Sequence, residues 1–303
     1  MLSSFLGGLA AFIIAPAPVQ AQELSFFRQL PMAATVQRPK GPKKRIANSL
    51  GVRTSSPSVF VADLATGNVL YAKDPHRVMP IASLTKLVTA MVFLDRKPNL
   101  DKTLTYVSAD IDRSEGKIVI PVGETVTLRD ALETMLVGSV NASANAIARV
   151  TGGKERFAEL MNEKVKSLGL RTPIFVEPSG MNPENRASAA DVGALLSAAA
   201  AYPEIREIAK LSEVTAHAIN SNKDYRVLST NLLLPTYLNK DPYGIVAAKT
   251  GSLPEAGYCM AQITKNKEGH EIVAVELGSD NHFSRYQDIK ALTTWAFDTY
   301  EWK

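Results

Sequence analysis

Hydrophobic positions follow two different periods along this chain, and their order predicts how it folds. Ser58–Asp63 and Asn68–Ala72 have the composition of strands, and Leu64–Gly67 between them has the residues of a hairpin turn. Three more strand-like runs come late, at Ile245–Ala248, Tyr258–Ile263 and Glu271–Leu277. The early and late strands are therefore expected to pair across everything that lies between them.

The segment between these strands is mainly helical in pattern. Leu84–Leu94 is apolar on nearly every face, which is typical of a helix buried in the middle of a protein. Four alanine- or leucine-rich segments predict further helices: Leu128–Leu136, Ala142–Val150, Arg156–Ser167 and Ala190–Ala200. A last helix begins at about Phe283. We predict an α/β fold, an antiparallel sheet flanked by helices, with a helical subdomain inserted at about residues 87–240.

The N-terminus has the pattern of an export signal. Phe5–Ile14 is uncharged and apolar, and the small-x-small sequence Val19–Ala21 precedes the first charged residue, Glu23. No Lys or Arg precedes the apolar run, which is unusual for a signal, and the run is shorter than the about 20 residues of a membrane span. We predict a signal peptide over residues 1–21, cleaved after Ala21, and a periplasmic protein.

Residues 22–52 are rich in Gln, Pro, Lys and Arg, and they predict a basic linker before a single enzymatic domain over residues 53–303. Hydrophobic residues make up 46% of the chain and charged residues 21%, which excludes a disordered or fibrous protein. The net charge of +4 is too mild to indicate nucleic-acid binding. One cysteine and four dispersed histidines offer no disulfide framework and no metal-ligand spacing, so we expect no metal and no cofactor.

A Ser-x-x-Lys motif, Ser83 to Lys86, stands at the start of the buried helix. Residues three apart lie on one helix face, so the Ser83 hydroxyl and the Lys86 amine can meet. A serine hydroxyl needs an adjacent base, and a lysine serves as one only when its pKa is lowered and it is neutral. A second match, Ser114–Lys117, lies in a polar stretch that we interpret as a surface loop.

Two further short motifs follow in chain order. Ser139–Asn141 is a Ser-x-Asn motif directly after an apolar helix, and Lys249–Gly251 is a Lys-Thr-Gly motif that ends a strand-like run. Other Ser-x-Asn matches begin at Ser143, Ser229 and Ser279, but Ser139 is the best candidate because of its loop position. The three motifs in this order are the set of penicillin-binding proteins and class A β-lactamases.

Similarity to one family extends well beyond these motifs, over about residues 57–300. The chain resembles the low-molecular-mass penicillin-binding proteins of the D-alanyl-D-alanine carboxypeptidase and endopeptidase family at Asp63–Gly67, Pro80–Lys86, Asn141–Asn145, Val176–Gly180, Thr230–Leu233 and Lys249–Gly257. The resemblance implies a penicilloyl-serine transferase fold with a five-stranded antiparallel sheet. It also implies a serine D,D-peptidase that acts on peptidoglycan peptide stems, in cell-wall biogenesis and cell shape, and that β-lactam antibiotics inhibit covalently.

The resemblance further implies how the catalytic residues act. Ser83 is expected to form the acyl-enzyme on the penultimate D-alanine carbonyl, and Lys86 to take its proton. Ser139 is expected to relay a proton to the leaving amine, and Asn141 to hold Lys86 and the substrate amide.

The remaining site residues are expected to bind substrate. Lys249 and Thr250 would hold its carboxylate, and the charge of Lys249 would lower the pKa of Lys86. Gly251 would keep the strand edge open for pairing with an extended peptide. The backbone N–H groups of Ser83 and Ser252 would form the oxyanion hole.

The choice between two peptidase activities depends on the end of the chain. Many carboxypeptidases of this family carry a second, β-rich domain and an amphipathic anchor helix, whereas here two strands and one helix use all the residues after Lys249. The chain therefore resembles the endopeptidase branch, which cleaves D-alanyl–meso-diaminopimelate cross-links, and at most peripheral membrane association is expected. Carboxypeptidase activity on pentapeptides is the alternative.

Two more distant alternatives also follow from the motifs. A class A β-lactamase needs a second carboxylate to activate water, and Glu177 is the one candidate that we identify, although its setting matches the peptidases. A non-catalytic wall-binding protein with the same fold is disfavoured by the intact Ser83, Lys86, Ser139 and Lys249.

Overall fold

The computed structural model describes residues 40–112 and 119–302, which form thirteen strands and seven helices. The strands are β1 (Lys43–Lys44), β2 (Ser58–Asp63), β3 (Val69–Lys73), β4 (Met79–Pro80), β5 (Thr103–Thr105), β6 (Thr125–Thr127), β7 (Arg186–Ala187), β8 (Glu213–Ala218), β9 (Lys223–Leu228), β10 (Tyr243–Leu253), β11 (Gly257–Asn266), β12 (Glu271–Ser279) and β13 (Tyr300–Glu301). The helices are α1 (Lys86–Asp95), α2 (Leu128–Val137), α3 (Asn141–Val150), α4 (Lys154–Ser167), α5 (Ala189–Ala199), α6 (Pro203–Ile208) and α7 (Ser284–Thr299).

A five-stranded antiparallel sheet in the order β10-β11-β12-β2-β3 forms the centre of the fold. Strands β10 to β12 make a meander, and β2 and β3 make the predicted hairpin. Strand β12 pairs with β2 from Ile272 opposite Asp63 to Leu277 opposite Ser58. The predicted pairing of early and late strands across an inserted helical region is therefore confirmed.

Both faces of the sheet are covered, which explains why residues 59–62 of the interior strand β2 are all apolar. Phe60 and Ala62 belong to the core shared with the helical region, whereas Val59 and Val61 belong to the core under α7. Alternate residues of a strand point to opposite faces. All six residues of β2 are buried, so the strand needs apolar side chains on both sides.

Helix α1 lies at the centre of the helical region and packs against α2, α3, α4 and α5. Every residue from Lys86 to Leu94 is buried. This matches the sequence pattern, because a helix that is apolar all round is surrounded by protein. The buried Lys86 is the exception in this pattern, and its partners are described below.

The β8–β9 hairpin lies within the region whose pattern is mainly helical. Strand β8 alternates exposed and buried residues, with Val214, Ala216 and Ala218 facing inwards. Small alanines at the buried positions weaken the two-residue period, which is why the sequence pattern did not reveal this hairpin.

Residues 40–52 belong to the segment predicted as a basic linker and lie along the end of α7. Strand β1 pairs with β13, Arg45 N donates to Thr299 O at 2.7 Å, and Trp295 Nε1 donates to Ser49 Oγ at 2.7 Å. These partners are about 250 residues away in sequence, so local composition does not predict them. The predicted signal peptide and residues 22–39 lie outside the described residues, among which no helix has the length and apolar character to cross a membrane.

Candidate active site

Ser83 and Lys86 meet at the entrance to the central helix. Ala82–Thr85 forms a 3₁₀ turn that leads directly into α1, and Lys86 Nζ donates a hydrogen bond of 2.7 Å to Ser83 Oγ. Residues i and i+3 eclipse in a 3₁₀ turn, so this geometry brings the two side chains together more directly than the predicted α-helical start does. Ser83 is half-buried.

Lys86 is fully buried, and its amine donates hydrogen bonds to oxygen atoms of several segments. Besides Ser83 Oγ, it donates to Asn141 Oδ1 at 2.5 Å and to the carbonyl oxygen of Ser179 at 2.6 Å. Asn141 is the first residue of α3, so three separate segments converge on this amine. An ammonium ion is costly to bury. Its burial and its contact with Ser83 are in keeping with the predicted role of Lys86 as a base.

Lys249 and Ser139 form a second polar contact of the predicted site. Lys249 Nζ donates to Ser139 Oγ at 2.8 Å and to Thr250 O at 2.9 Å, and the lysine is 2% exposed. Burial lowers the pKa of Lys249 well below its ordinary value, and the proximity of the Lys86 and Arg285 side chains lowers it further. Ser139 has a left-handed backbone conformation (φ 60°), which turns the chain between α2 and α3.

The edge of strand β10 lies against the serine turn. A Cβ placed on Gly251 would lie 2.8 Å from Ile81 O and 3.1 Å from Ser83 N. Gly251 is therefore needed for a close approach of the two backbones, and Ser252 follows it on the same edge. The predicted oxyanion donors thus lie on two segments that are in direct contact.

Segment 177–185 packs against the turn that carries Ser83. The Glu177 carboxylate accepts hydrogen bonds from Ser179 N, Ser179 Oγ, Gly180 N and Asn185 Nδ2, all within 2.8 Å. Asn185 Nδ2 also contacts Thr85 Oγ1 at 3.2 Å. Both carboxylate oxygens of Glu177 accept hydrogen bonds from within this loop. These contacts do not suit a carboxylate that activates water in a β-lactamase.

Gly180 touches the serine turn through its backbone. Its φ is +87°, and a Cβ there would lie 2.1 Å from Ala82 O and 2.8 Å from Ser83 N. Ala82 itself has φ 47°, a conformation that non-glycine residues rarely adopt. The position of the nucleophile thus depends on a strained turn held in place by its neighbours.

Comparison with known proteins identifies the family. A family model described as D-alanyl-D-alanine carboxypeptidase, peptidase S11, matches residues 44–281. The chain belongs to this family. It is a serine-type D-Ala-D-Ala peptidase of the low-molecular-mass penicillin-binding proteins, as the sequence motifs predicted.

Individual relatives support this assignment. A D-alanyl-D-alanine endopeptidase of Pseudomonas aeruginosa is 33% identical over 276 residues, which cover 90% of this chain and 86% of the relative. The D-alanyl-D-alanine carboxypeptidase DacF of Bacillus subtilis is 28% identical over 265 residues, covering 83% and 66%. The structure of penicillin-binding protein D2 from Listeria monocytogenes, a cefotaxime-bound form, superposes with a TM-score of 0.71 at 25% identity, covering 82% of this chain and 100% of that one.

The structure of this D-Ala-D-Ala peptidase places predicted site residues in two hydrogen-bonded sets. Ser83, Lys86 and Asn141 share hydrogen bonds, and Lys249 contacts Ser139. The roles assigned to them remain predictions. The competing Ser114–Lys117 match lies outside the described residues.

Sequence reasoning did not identify three residues that hold this site. Ser179 and Thr230 fall within stretches that resemble the family, but no role was attached to them. Ser179 O accepts a hydrogen bond from the Lys86 amine, and Thr230 Oγ1 accepts one from Thr250 Oγ1 at 2.7 Å. Arg285 gave no sequence signal, because its contacts arise only when α7 returns to the sheet.

Gly180→Ala is expected to slow acylation by a fluorescent penicillin by about 10²-fold, because the new methyl group displaces the Ser83 turn. Gly123→Ala is the matched control, since Gly123 also has a positive φ (+94°) but no atom lies within 4 Å of the position that a Cβ would take there. Both variants carry similar backbone strain. Equal acylation rates in the two folded variants would show that the close approach of Gly180 does not position the nucleophile.

Proposed function

We propose that this protein is a periplasmic endopeptidase that cleaves D-alanyl–meso-diaminopimelate cross-links in peptidoglycan through an acyl-enzyme on Ser83. The observation that carries the proposal is the 2.7 Å contact between Ser83 Oγ and the buried Lys86 Nζ, in a cleft whose other side presents Lys249. The first contact supplies a nucleophile with a base, and the second supplies a cation for the substrate carboxylate.

Acylation follows from this arrangement. The neutral Lys86 amine takes the Ser83 proton as Ser83 Oγ attacks the D-alanine carbonyl carbon. The negative charge on the carbonyl oxygen is stabilised by the N–H groups of Ser83 and Ser252, a contribution of about 10²–10³-fold in rate per donor. Lys249 and Thr250 bind the carboxylate beside the scissile bond and so fix the substrate for attack.

Release of the leaving group requires a proton. The intermediate collapses, the carbon–nitrogen bond breaks, and the proton held by Lys86 reaches the leaving amine through the Ser139 hydroxyl. Water then attacks the ester, with Lys86 again as base, and regenerates Ser83. Asn141 supports both steps because its side-chain oxygen holds the Lys86 amine.

Endopeptidase rather than carboxypeptidase specificity is supported by the relatives. Two D-alanyl-D-alanine endopeptidases, from Pseudomonas aeruginosa and Escherichia coli, are each 33% identical to this chain, against 28% for the Bacillus subtilis carboxypeptidase. Carboxypeptidase activity on pentapeptides remains the second candidate, since the same acyl-enzyme serves both reactions.

β-Lactam antibiotics are proposed as covalent inhibitors. Their carboxylate and strained amide carbonyl present the groups that the cleft is arranged to bind, and the Listeria relative is described in a cefotaxime-bound form. The β-lactamase alternative is disfavoured because the hydrogen bonds of Glu177 within its own loop occupy its carboxylate.

Ser83→Ala is expected to abolish covalent labelling by a fluorescent penicillin, because it removes the oxygen that forms the ester. Ser114→Ala, in the competing Ser-x-x-Lys match, should label like the wild type. Gel fluorescence and intact-mass measurement of the adduct read out both variants. Labelling that survives in Ser83→Ala and disappears in Ser114→Ala would refute the assignment.

Acylation is expected to depend on the charge of Lys249. Because the pKa of Lys249 is lowered, its amine loses its charge at a pH below the ordinary lysine range, and the acylation rate should fall there. Lys249→Arg keeps its charge at all accessible pH values. The alkaline limb of the pH–rate profile, where the acylation rate falls, should therefore move to higher pH in this variant, even if its rate at neutral pH is lower. The second-order acylation rate constant, measured against pH, reports the free enzyme. An identical limb in both proteins would exclude Lys249 as its origin.

Substrate choice can be tested with purified muropeptides. The enzyme is expected to split cross-linked dimers into monomers faster than it releases D-alanine from monomeric pentapeptides, with both products followed by liquid chromatography. Ser83→Ala provides the blank. Rapid D-alanine release with intact dimers would establish the carboxypeptidase alternative and leave the Ser83 assignment in place.

A further inference from the structure

The turn over residues 138–140 joins α2 to α3 and carries Ser139, so we name it the Ser139 turn. Ser139 has φ 60°, a left-handed conformation that residues other than glycine rarely adopt. The two N–H groups that flank it in the turn both donate to the carbonyl oxygen of Thr134, at 3.1 and 3.2 Å. Such a conformation persists only where the surrounding structure imposes it.

The β8–β9 hairpin packs directly against this turn. A Cβ placed on Gly138 would lie 2.0 Å from Cγ1 of Val227, which belongs to β9. Gly138 has φ −88°, so this position needs a glycine for its lack of a side chain and not for its backbone conformation. Val227 is 6% exposed and β-branched, and its side chain therefore has little freedom to turn away. The hairpin and the turn meet where there is no room for one more methyl group.

Side chains and backbone groups of other segments hold the hairpin in place. Near its tip, Ser221 Oγ and the Tyr225 hydroxyl donate to the Glu124 carboxylate at 2.6 and 2.8 Å. Just beyond β9, Thr230 N donates to Val137 O at 3.0 Å, and strand β8 packs along α2. The hairpin is thus fixed near its tip and beyond its last strand, which makes it a firm support for the Ser139 turn.

We propose that the β8–β9 hairpin positions Ser139 for proton transfer, with Val227 as the positioning residue. Val227 packs on Gly138 and so keeps the turn where the Ser139 hydroxyl meets the Lys249 amine, 2.8 Å away. This inference rests on the proposed function, in which Ser139 gives its hydroxyl proton to the leaving nitrogen and takes one from Lys86. Proton transfer of this kind contributes about 10²–10⁴-fold in rate, so displacement of the hydroxyl should be measurable.

Gly138→Ala adds one methyl group at the contact and is expected to slow acylation by benzylpenicillin about 10- to 10²-fold. The new methyl group and Val227 cannot occupy the same space, and the anchored hairpin directs the displacement onto the Ser139 turn. Alanine adopts the backbone conformation of Gly138 without strain, so the variant introduces crowding alone. Intact-mass measurement of the acyl-enzyme against time gives the rate constant.

Val227→Ala, combined with Gly138→Ala, should recover most of the lost rate. It removes Cγ1, the atom that the new methyl group would meet, and the next atoms lie at 3.3 and 3.4 Å, where small shifts suffice. Val165→Ala is the matched control, since Val165 is a buried valine (2% exposed) on α4 and loses the same two methyl groups. Combined with Gly138→Ala, it should not restore acylation.

The same substitutions in a Ser139→Ala background separate positioning from a general structural effect. If crowding acts through Ser139, Gly138→Ala should have little further effect there, because no hydroxyl is left to misplace. A general loss of structure would slow both backgrounds by the same factor. Thermal unfolding confirms that each variant is folded. If Gly138→Ala does not fold, Val227→Ala alone replaces it, with an expected slowing of up to about 10-fold that is lost in Ser139→Ala.

Three outcomes would overturn the inference: a wild-type rate in the folded Gly138→Ala or its replacement, no rescue specific to Val227→Ala, or the same slowing in the Ser139→Ala background. A failure of the proposed function is recognised separately. If Ser139→Ala alone is acylated like the wild type, Ser139 carries no proton, and the inference falls with that role. If the wild type is not acylated by benzylpenicillin at all, the acyl-enzyme mechanism itself is refuted.

Discussion

The site depends on the burial of two lysine amines, those of Lys86 and Lys249. Lys86 is fully buried and Lys249 is 2% exposed, and an ammonium group loses much of its hydration in such a place. Their described partners include hydroxyl, amide and carbonyl oxygens, which can bind either a charged or a neutral amine. Burial and mutual repulsion lower the pKa of Lys249. In the proposed mechanism, Lys86 is the base and Lys249 binds the substrate carboxylate.

The fold satisfies this constraint by bringing distant segments to one point. Helix α1 and the turn before it carry Lys86 and Ser83 into the centre of the protein, while the edge strand β10 brings Lys249 from near the end of the chain. Segment 177–185 adds two contacts, because Ser179 O accepts from the Lys86 amine and Gly180 lies against the serine turn. None of these elements positions the site alone, so the close backbone contacts at Gly180 and Gly251 matter as much as the polar groups.

Much of the sheet and the main helices could be predicted from hydrophobic periodicity, because the core covers both faces of β2 and surrounds α1. The three motifs located Ser83, Lys86, Ser139, Asn141 and Lys249 because their chemistry requires fixed residue types. The remaining features depend on contacts that sequence spacing does not encode. The 3₁₀ turn at Ser83, the hairpin β8–β9, and the Arg285 contacts are set by packing between segments far apart in the chain.

A crystal structure of the acyl-enzyme formed with a penicillin tests the central claim most directly, since it shows the covalent bond and the surrounding charges together. The account predicts an ester on Ser83 Oγ, the carbonyl oxygen between the N–H groups of Ser83 and Ser252, and the carboxylate on Lys249 and Thr250. An adduct on another residue, or a carboxylate bound away from Lys249, would contradict it.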